Sequence, residues 1–155
     1  MTDDQIRELI SKADFKSAAW LLRGITNLGG GLLLCKSRLI FIANGRGSML
    51  KGQLEKLEQQ SGQIGMAVRL MNDERVTIFD LHQNEIKTKF PWYQFAGGMK
   101  VKANGALYKI SFGKPVERNV AHTDNVRLRE AKTNFMEAGN MRLIGKKWKA
   151  LLLRD

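Results

Sequence analysis

The stretch from Met99 to Phe112 restricts the possible folds of this chain more than any other. Met99 and Val101 alternate with Lys100 and Lys102, Asn104-Gly105 follows, and Tyr108, Ile110 and Phe112 then alternate with Leu107, Lys109 and Ser111. A period of two sends successive side chains to opposite faces of a strand. Asn-Gly supplies the positive backbone angles of a two-residue hairpin turn. The stretch is therefore predicted to be an antiparallel hairpin, apolar on one face and lysine-bearing on the other. An isolated hairpin is marginal in water, so the rest of the chain must supply strands or helices to cover its apolar face.

Further strand signals precede it. Ala18–Arg23 and Leu32–Cys35 are short apolar runs separated by Gly24–Gly31, which reads as a glycine-rich turn. Lys36-Ser37 then breaks the chain before Arg38–Ala43, which is β-branched and aromatic. Gly65–Met71 and Val76–Leu81 read as two more strands around the turn residues Asn72-Asp73-Glu74. Thr88–Phe95 reads as another, with Pro91 suited to an edge or a bulge.

Helical periodicity is confined to three places. Thr2 with Gln5 forms a capping-box pattern ahead of Ile6, Leu9, Ile10 and Ala13, predicting a helix over 3–13. Leu50, Leu54 and Leu57 predict a second over 48–60, with Gly62 as its C-cap. From Asp124, one stripe of Leu128, Ala131, Phe135 and Ala138 is followed by another of Ile144, Trp148, Leu151 and Leu152. One or two helices are expected over 124–153. At 155 residues and 43% hydrophobic content, the chain suits a single domain spanning 1–155. A helical extension is expected over 1–16, a helical insertion over 46–62 and a helical C-terminal segment over 124–153. Strands followed by helix indicate an α+β fold of about seven strands, or a barrel plugged at one end.

Bulk properties exclude several functions. The longest apolar runs, Gly31–Cys35 and Ala150–Leu153, fall far short of the roughly 20 residues that span a bilayer. Met1-Thr2-Asp3-Asp4 is acidic where a signal peptide is basic, and Cys35 is the single cysteine, so a cytoplasmic protein is expected. The two histidines, His82 and His122, lie far apart in sequence, and no Cys-x-x-Cys motif occurs. Cys35 sits in an apolar run, where a cysteine is usually a small buried hydrophobe. Neither Gly24–Gly31 nor Gly45-Arg46-Gly47-Ser48 carries the offsets of a phosphate loop. No catalytic, cofactor-binding or metal-binding residue is assigned, and a non-enzymatic chain is expected.

Three segments, in order, resemble the GRAM and bacterial pleckstrin-homology-like domains. Gly30–Phe41 is similar to the family's second-to-third-strand hairpin, in which a glycine leads an apolar strand and the next opens with Arg-Leu-aliphatic-Phe. Ile78–Ile86 is similar to its strand followed by a polar turn ending in isoleucine, and Gly98–Phe112 to its closing hairpin. Trp148 is placed like the tryptophan of the family's C-terminal helix. The resemblance implies an antiparallel β-barrel or split barrel closed by that helix, working as a binding module. Cys35 stands where the family usually has threonine. The loop joining the first two strands, where lipid-binding members cluster cations, carries only Arg23 beside it.

The formal net charge of +11 points to an anionic partner without choosing one. Lys87 and Lys89 alternate outward, as do Lys100 and Lys102, with Lys109 on the paired strand. These five are the candidate residues for binding an acidic protein or an anionic lipid surface, which would place the protein peripherally at a membrane. Charge-driven nucleic-acid binding is the alternative, with Lys89-Phe90-Pro91-Trp92-Tyr93 as its aromatic feature. Lys146-Lys147-Trp148-Lys149 before Leu151-Leu152-Leu153 suits either a membrane-lying helix or a helix plugging a barrel; the second use is preferred. The oligomeric state is left open.

Overall fold

In a computed structural model describing residues 2–91, 97–115 and 141–153, the chain forms one seven-stranded antiparallel sheet with helices against it. Chain order is α1 (Asp3–Lys12), β1 (Phe15–Arg23), β2 (Thr26–Cys35), β3 (Arg38–Asn44), α2 (Lys51–Ser61), α3 (Met66–Met71), β4 (Arg75–His82), a 3₁₀ turn (Gln83–Glu85), β5 (Lys87–Lys89), β6 (Gly98–Ala103) and β7 (Ala106–Ser111). A last helix, α4, covers 141–152. The spatial order is β4-β3-β2-β1-β7-β6-β5.

The sheet is strongly bent, and its connections show why. Strands β4 and β5 occupy opposite edges, yet only residues 83–86 join them. Five extended Cα steps span at most about 17 Å, whereas seven flat strands are about 29 Å across. The edges must therefore curl toward each other, and the Phe79 ring on β4 meets Tyr108 on β7 with centroids 4.7 Å apart. Small residues on the inner face permit the bend: Ala19, Gly30 and Ala43 lie side by side across β1, β2 and β3. A side-chain carbon on Gly30 would fall 2.0 Å from the Ile42 carbonyl oxygen. A register shift between Phe41 and Ile42 lets the consecutive residues Ile78 and Phe79 both turn inward. Among the described residues no hydrogen-bonded ladder joins β4 to β5, so the curl is not closed into a barrel by pairing.

Two plugs fill the interior. At the end carrying the β1–β2 turn, α2 and α3 insert Leu54, Leu57, Met66, Ala67 and Leu70. Thr26 Oγ1 bonds to Gln53, and Gln60 Nε2 donates to the Leu107 carbonyl at 2.9 Å, fixing α2 to the strand ends. At the other end Trp148 of α4 is fully buried between Phe15 and Phe112, and its indole N–H donates to Ser17 Oγ at 2.9 Å. Ile144, Leu151 and Leu152 pack against the same core. The helix stripe read from the sequence thus faces inward.

Several expectations hold in detail. The Thr2/Gln5 capping box is formed, Gly62 caps α2 in the left-handed region, and Asn104-Gly105 turns the β6–β7 hairpin with both φ angles positive. Tyr108, Ile110 and Phe112 are buried.

Three readings are corrected. Gly65–Met71 is not a strand: Gly65 takes a left-handed conformation and Met66–Met71 is helical. Its residues are good helix formers apart from Val68, and Met66, Ala67 and Leu70 reach the core only at helical spacing. Gly24–Gly31 is not a loop, because the turn is Gly24-Ile25 alone and β2 runs from Thr26 through the three glycines. Of the strand expected over 88–95, Thr88 and Lys89 lie in β5 while Phe90 and Pro91 do not, and Phe90 packs on the core; residues 92–96 lie outside the described residues. So do His122 and the helix expected over 124–140.

Candidate functional site

The outer face of the sheet carries the candidate lysines, and register places them on it together. Lys87 is the direct partner of Lys102, Lys89 of Lys100, and Lys100 of Lys109. Directly opposed residues share a face, with Cβ atoms about 5 Å apart. All five predicted lysines therefore form one array across three adjacent strands. Lys87, Lys89, Lys102 and Lys109 are exposed, and Lys100, at the centre, is half-buried.

Each lysine is outward for a reason written in its neighbours. Met99, Val101 and Ala103 of β6 and Tyr108 and Ile110 of β7 are buried, so the intervening positions must face out. Strands β1, β5, β6 and β7 contain no aspartate or glutamate. None of Lys87, Lys89, Lys102 and Lys109 forms an ion pair with a described residue. The array is continued on β1 by Leu22, which pairs with Lys109, and on β7 by the partly exposed Leu107, which pairs with Lys102.

Three lysine pairs face each other directly, and in the Lys87–Lys102 pair, where neither side chain has an ion-pair partner among the described residues, that arrangement lowers sheet stability. A lysine guarding a sheet edge against aggregation accounts for β5. It does not account for Lys109, which lies two strands in from that edge. Edge protection therefore explains Lys87 and Lys89 but not Lys109.

The other half of the outer face is chemically different. Leu33, Ile40 and Ile42 point outward from β2 and β3, and α1 covers them with Ile6, Leu9 and Ile10. Cys35 belongs to this cluster; its thiol leans on the Leu9 carbonyl at 3.7 Å, and burial pushes its pKa up despite nearby Arg38. It is placed as a packing residue. Beyond it, Arg38 and Asp80 form a bidentate ion pair at the surface, and that hydrogen bond holds the guanidinium pKa higher still. Trp20, which sequence reading took simply as part of an apolar strand, is half-buried on the outer face above Gly29. The signal lies in the pairing of Trp20 with Gly29 across β1 and β2, which a glycine-rich composition that reads as a turn conceals.

The inner-face groups are packing elements too. Tyr108 is buried, which raises its phenol pKa, while a hydrogen bond with Gln60 acts more weakly in the other direction. His82 ends β4, where its Nδ1 accepts weakly from the Asn84 amide, and no cluster of three metal-ligating residues occurs among the described residues. No helix among them is long and apolar enough to cross a membrane. Comparison with protein-family models, curated proteins and solved structures finds no match to this chain.

Proposed function

We propose that this chain is a non-enzymatic, pleckstrin-homology-like binding module that docks on an anionic surface through Lys87, Lys89, Lys100, Lys102 and Lys109. The observation that carries the reading is the cross-strand register, which gathers five lysines on one face of three adjacent strands that contain no acidic residue. The curled antiparallel sheet with a tryptophan-bearing terminal helix supports the family part of the reading.

Of the two anionic surfaces, a membrane fits better than an acidic protein. Protein interfaces favour arginine and aromatic anchors and are depleted in lysine, whereas the charged positions of this array are all lysine. Point charges on flexible stems suit a fluid layer of headgroups, each lysine contributing about 1 kcal/mol near an anionic leaflet. The β1–β2 connection is a two-residue turn, which leaves no loop to enclose a headgroup. Attraction is therefore to surface charge rather than to one lipid. The protein would sit peripherally on the cytoplasmic leaflet.

Sedimentation with vesicles tests this. Binding to phosphatidylserine-containing vesicles, absent with pure phosphatidylcholine, should weaken as salt rises. The K87A/K89A/K102A/K109A variant should lose roughly a thousandfold in partitioning at low salt. Equal partitioning of that variant and the parent would remove the proposal. A mobility shift with RNA in the absence of vesicle binding would transfer the array to nucleic acid, for which phosphate neutralisation also gives steep salt dependence.

A further inference from the structure

A cleft of about 420 Å³ opens on the outer face between the C-terminal part of α1 and the middle of the sheet. That volume lies within the range of small-molecule sites, roughly 300–1,000 Å³. Its floor is Ala18 and Gly31, which are paired across β1 and β2, and its walls include Ile10, Leu33 and Ile42. Lys16 and Arg75 stand on its rim.

Gly31 does not owe its identity to crowding. Unlike Gly30, it would meet nothing closer than the Ser17 carbonyl oxygen, 3.9 Å away, if it carried a side-chain carbon. Its backbone is not in the left-handed region either. A glycine inside a strand costs stability; such positions mark a bulge, a tight bend or the close approach of a ligand or another backbone, and the unshifted pairing of Gly31 with Ala18 and Ile42 excludes the bulge. Here the neighbouring Ala18 is exposed and the flanking Leu33 and Ile42 are buried, so an apolar trough is left open in the middle of the sheet.

The charges on the rim select the occupant. Glu74, the acidic neighbour of Arg75 in the chain, is turned to Arg69 at 3.9 Å. The Arg75 guanidinium has no carboxylate partner among the described residues. Lys16 leans instead on the Ile10 carbonyl at 3.5 Å. A free guanidinium at the end of an apolar trough matches a carboxylate on an alkyl chain, which it can bind through two parallel hydrogen bonds. We infer that this cleft binds a single-chain carboxylate amphiphile, its alkyl chain along Ala18 and Gly31 and its head on Arg75. The inference does not rest on the lysine array, which lies on the other side of Trp20.

Titration of the intact protein with dodecanoate, followed calorimetrically, is the test. Saturable one-to-one binding is expected, with dodecanol binding more weakly. R75Q should weaken dodecanoate roughly tenfold and leave dodecanol unchanged. G31V fills the trough and should abolish binding of both while the circular dichroism melt stays at or above that of the parent; A18L blocks the same space from the neighbouring strand should G31V fail to fold. Phosphatidylserine vesicles should bind G31V as they bind the parent, which separates this site from the lysine face. Absence of saturable binding by the parent overturns the inference. So does full binding by a folded G31V or A18L protein, or equal affinity for dodecanoate and dodecanol.

Discussion

The outer face of the sheet is finished in two ways along its width. Across β2 and β3 its side chains are Leu33, Ile40 and Ile42, and α1 lies over them. Across β5, β6 and β7 they are Lys87, Lys89, Lys100, Lys102 and Lys109, and no described helix covers them. The inner face beneath both halves is the same continuous apolar core. On these two stretches cover follows the outward side chains: α1 lies over the aliphatic set, and among the described residues no helix lies over the lysines. The covered half adds to folding through buried area, while in the open half the directly opposed Lys87–Lys102 pair works against folding through repulsion. A face that weakens its own fold is the one to suspect of function.

The most severe test removes what both halves share. Trp148→Ala empties a fully buried site and strands Ser17 without its donor, and should cost about 3–5 kcal/mol in chemical denaturation. A loss under about 1 kcal/mol would mean that α4 is not the plug, and the two halves would then have no common base to compare.

Next in size is the covered half alone. Ile6 is 1% exposed at the centre of the small outer cluster, so Ile6→Ala should cost about 2–4 kcal/mol. It should also speed labelling of Cys35 by a maleimide, because α1 shields that thiol. Loss of stability with no change in labelling would show that Ile6 holds something other than this cover.

Legibility in the sequence followed the range of each signal. The β6–β7 hairpin, α1 with its capping box and the orientation of all five lysines could be read because period and turn chemistry are local. Helix α3 could not: Met66–Met71 is too short for periodicity to separate helix from strand. The glycines of β2 misled because their composition is that of a turn, while their role depends on Ile42, Ala43 and Trp20, which are remote in sequence. Trp20 and the cleft at Gly31 were hidden by that same misreading, since neither exists until β1 and β2 are paired in register.

A smaller effect separates the inner face from both outer halves by pH. Burial raises the Tyr108 phenol pKa in the folded protein. A raised pKa means that the native state holds its proton while the unfolded chain loses it. The stabilisation is therefore complete below the unfolded value of about 10 and is lost as pH rises through the folded one. Tyr108→Phe should cost about 1 kcal/mol at neutral pH, through the lost hydrogen bond, yet decline less steeply than the parent above about pH 10. Parallel declines in urea midpoints would place the phenol in solvent, contrary to its burial.

The smallest effect has the opposite sign, and it bears most directly on the contrast between the halves. Lys87→Ala removes one member of the Lys87–Lys102 pair and takes away no ion pair with a described residue. Relief of one directly opposed like-charge pair should raise stability by about 0.2–1 kcal/mol. Because both side chains are solvent-exposed, the gain should shrink toward zero in 1 M salt, where the Debye length is about 3 Å. Loss of stability on removing Lys87, at either ionic strength, would mean that the lysine stem supports the edge strand by packing. The open half would then be part of the fold's own structure, and the case for an external anionic partner would weaken with it.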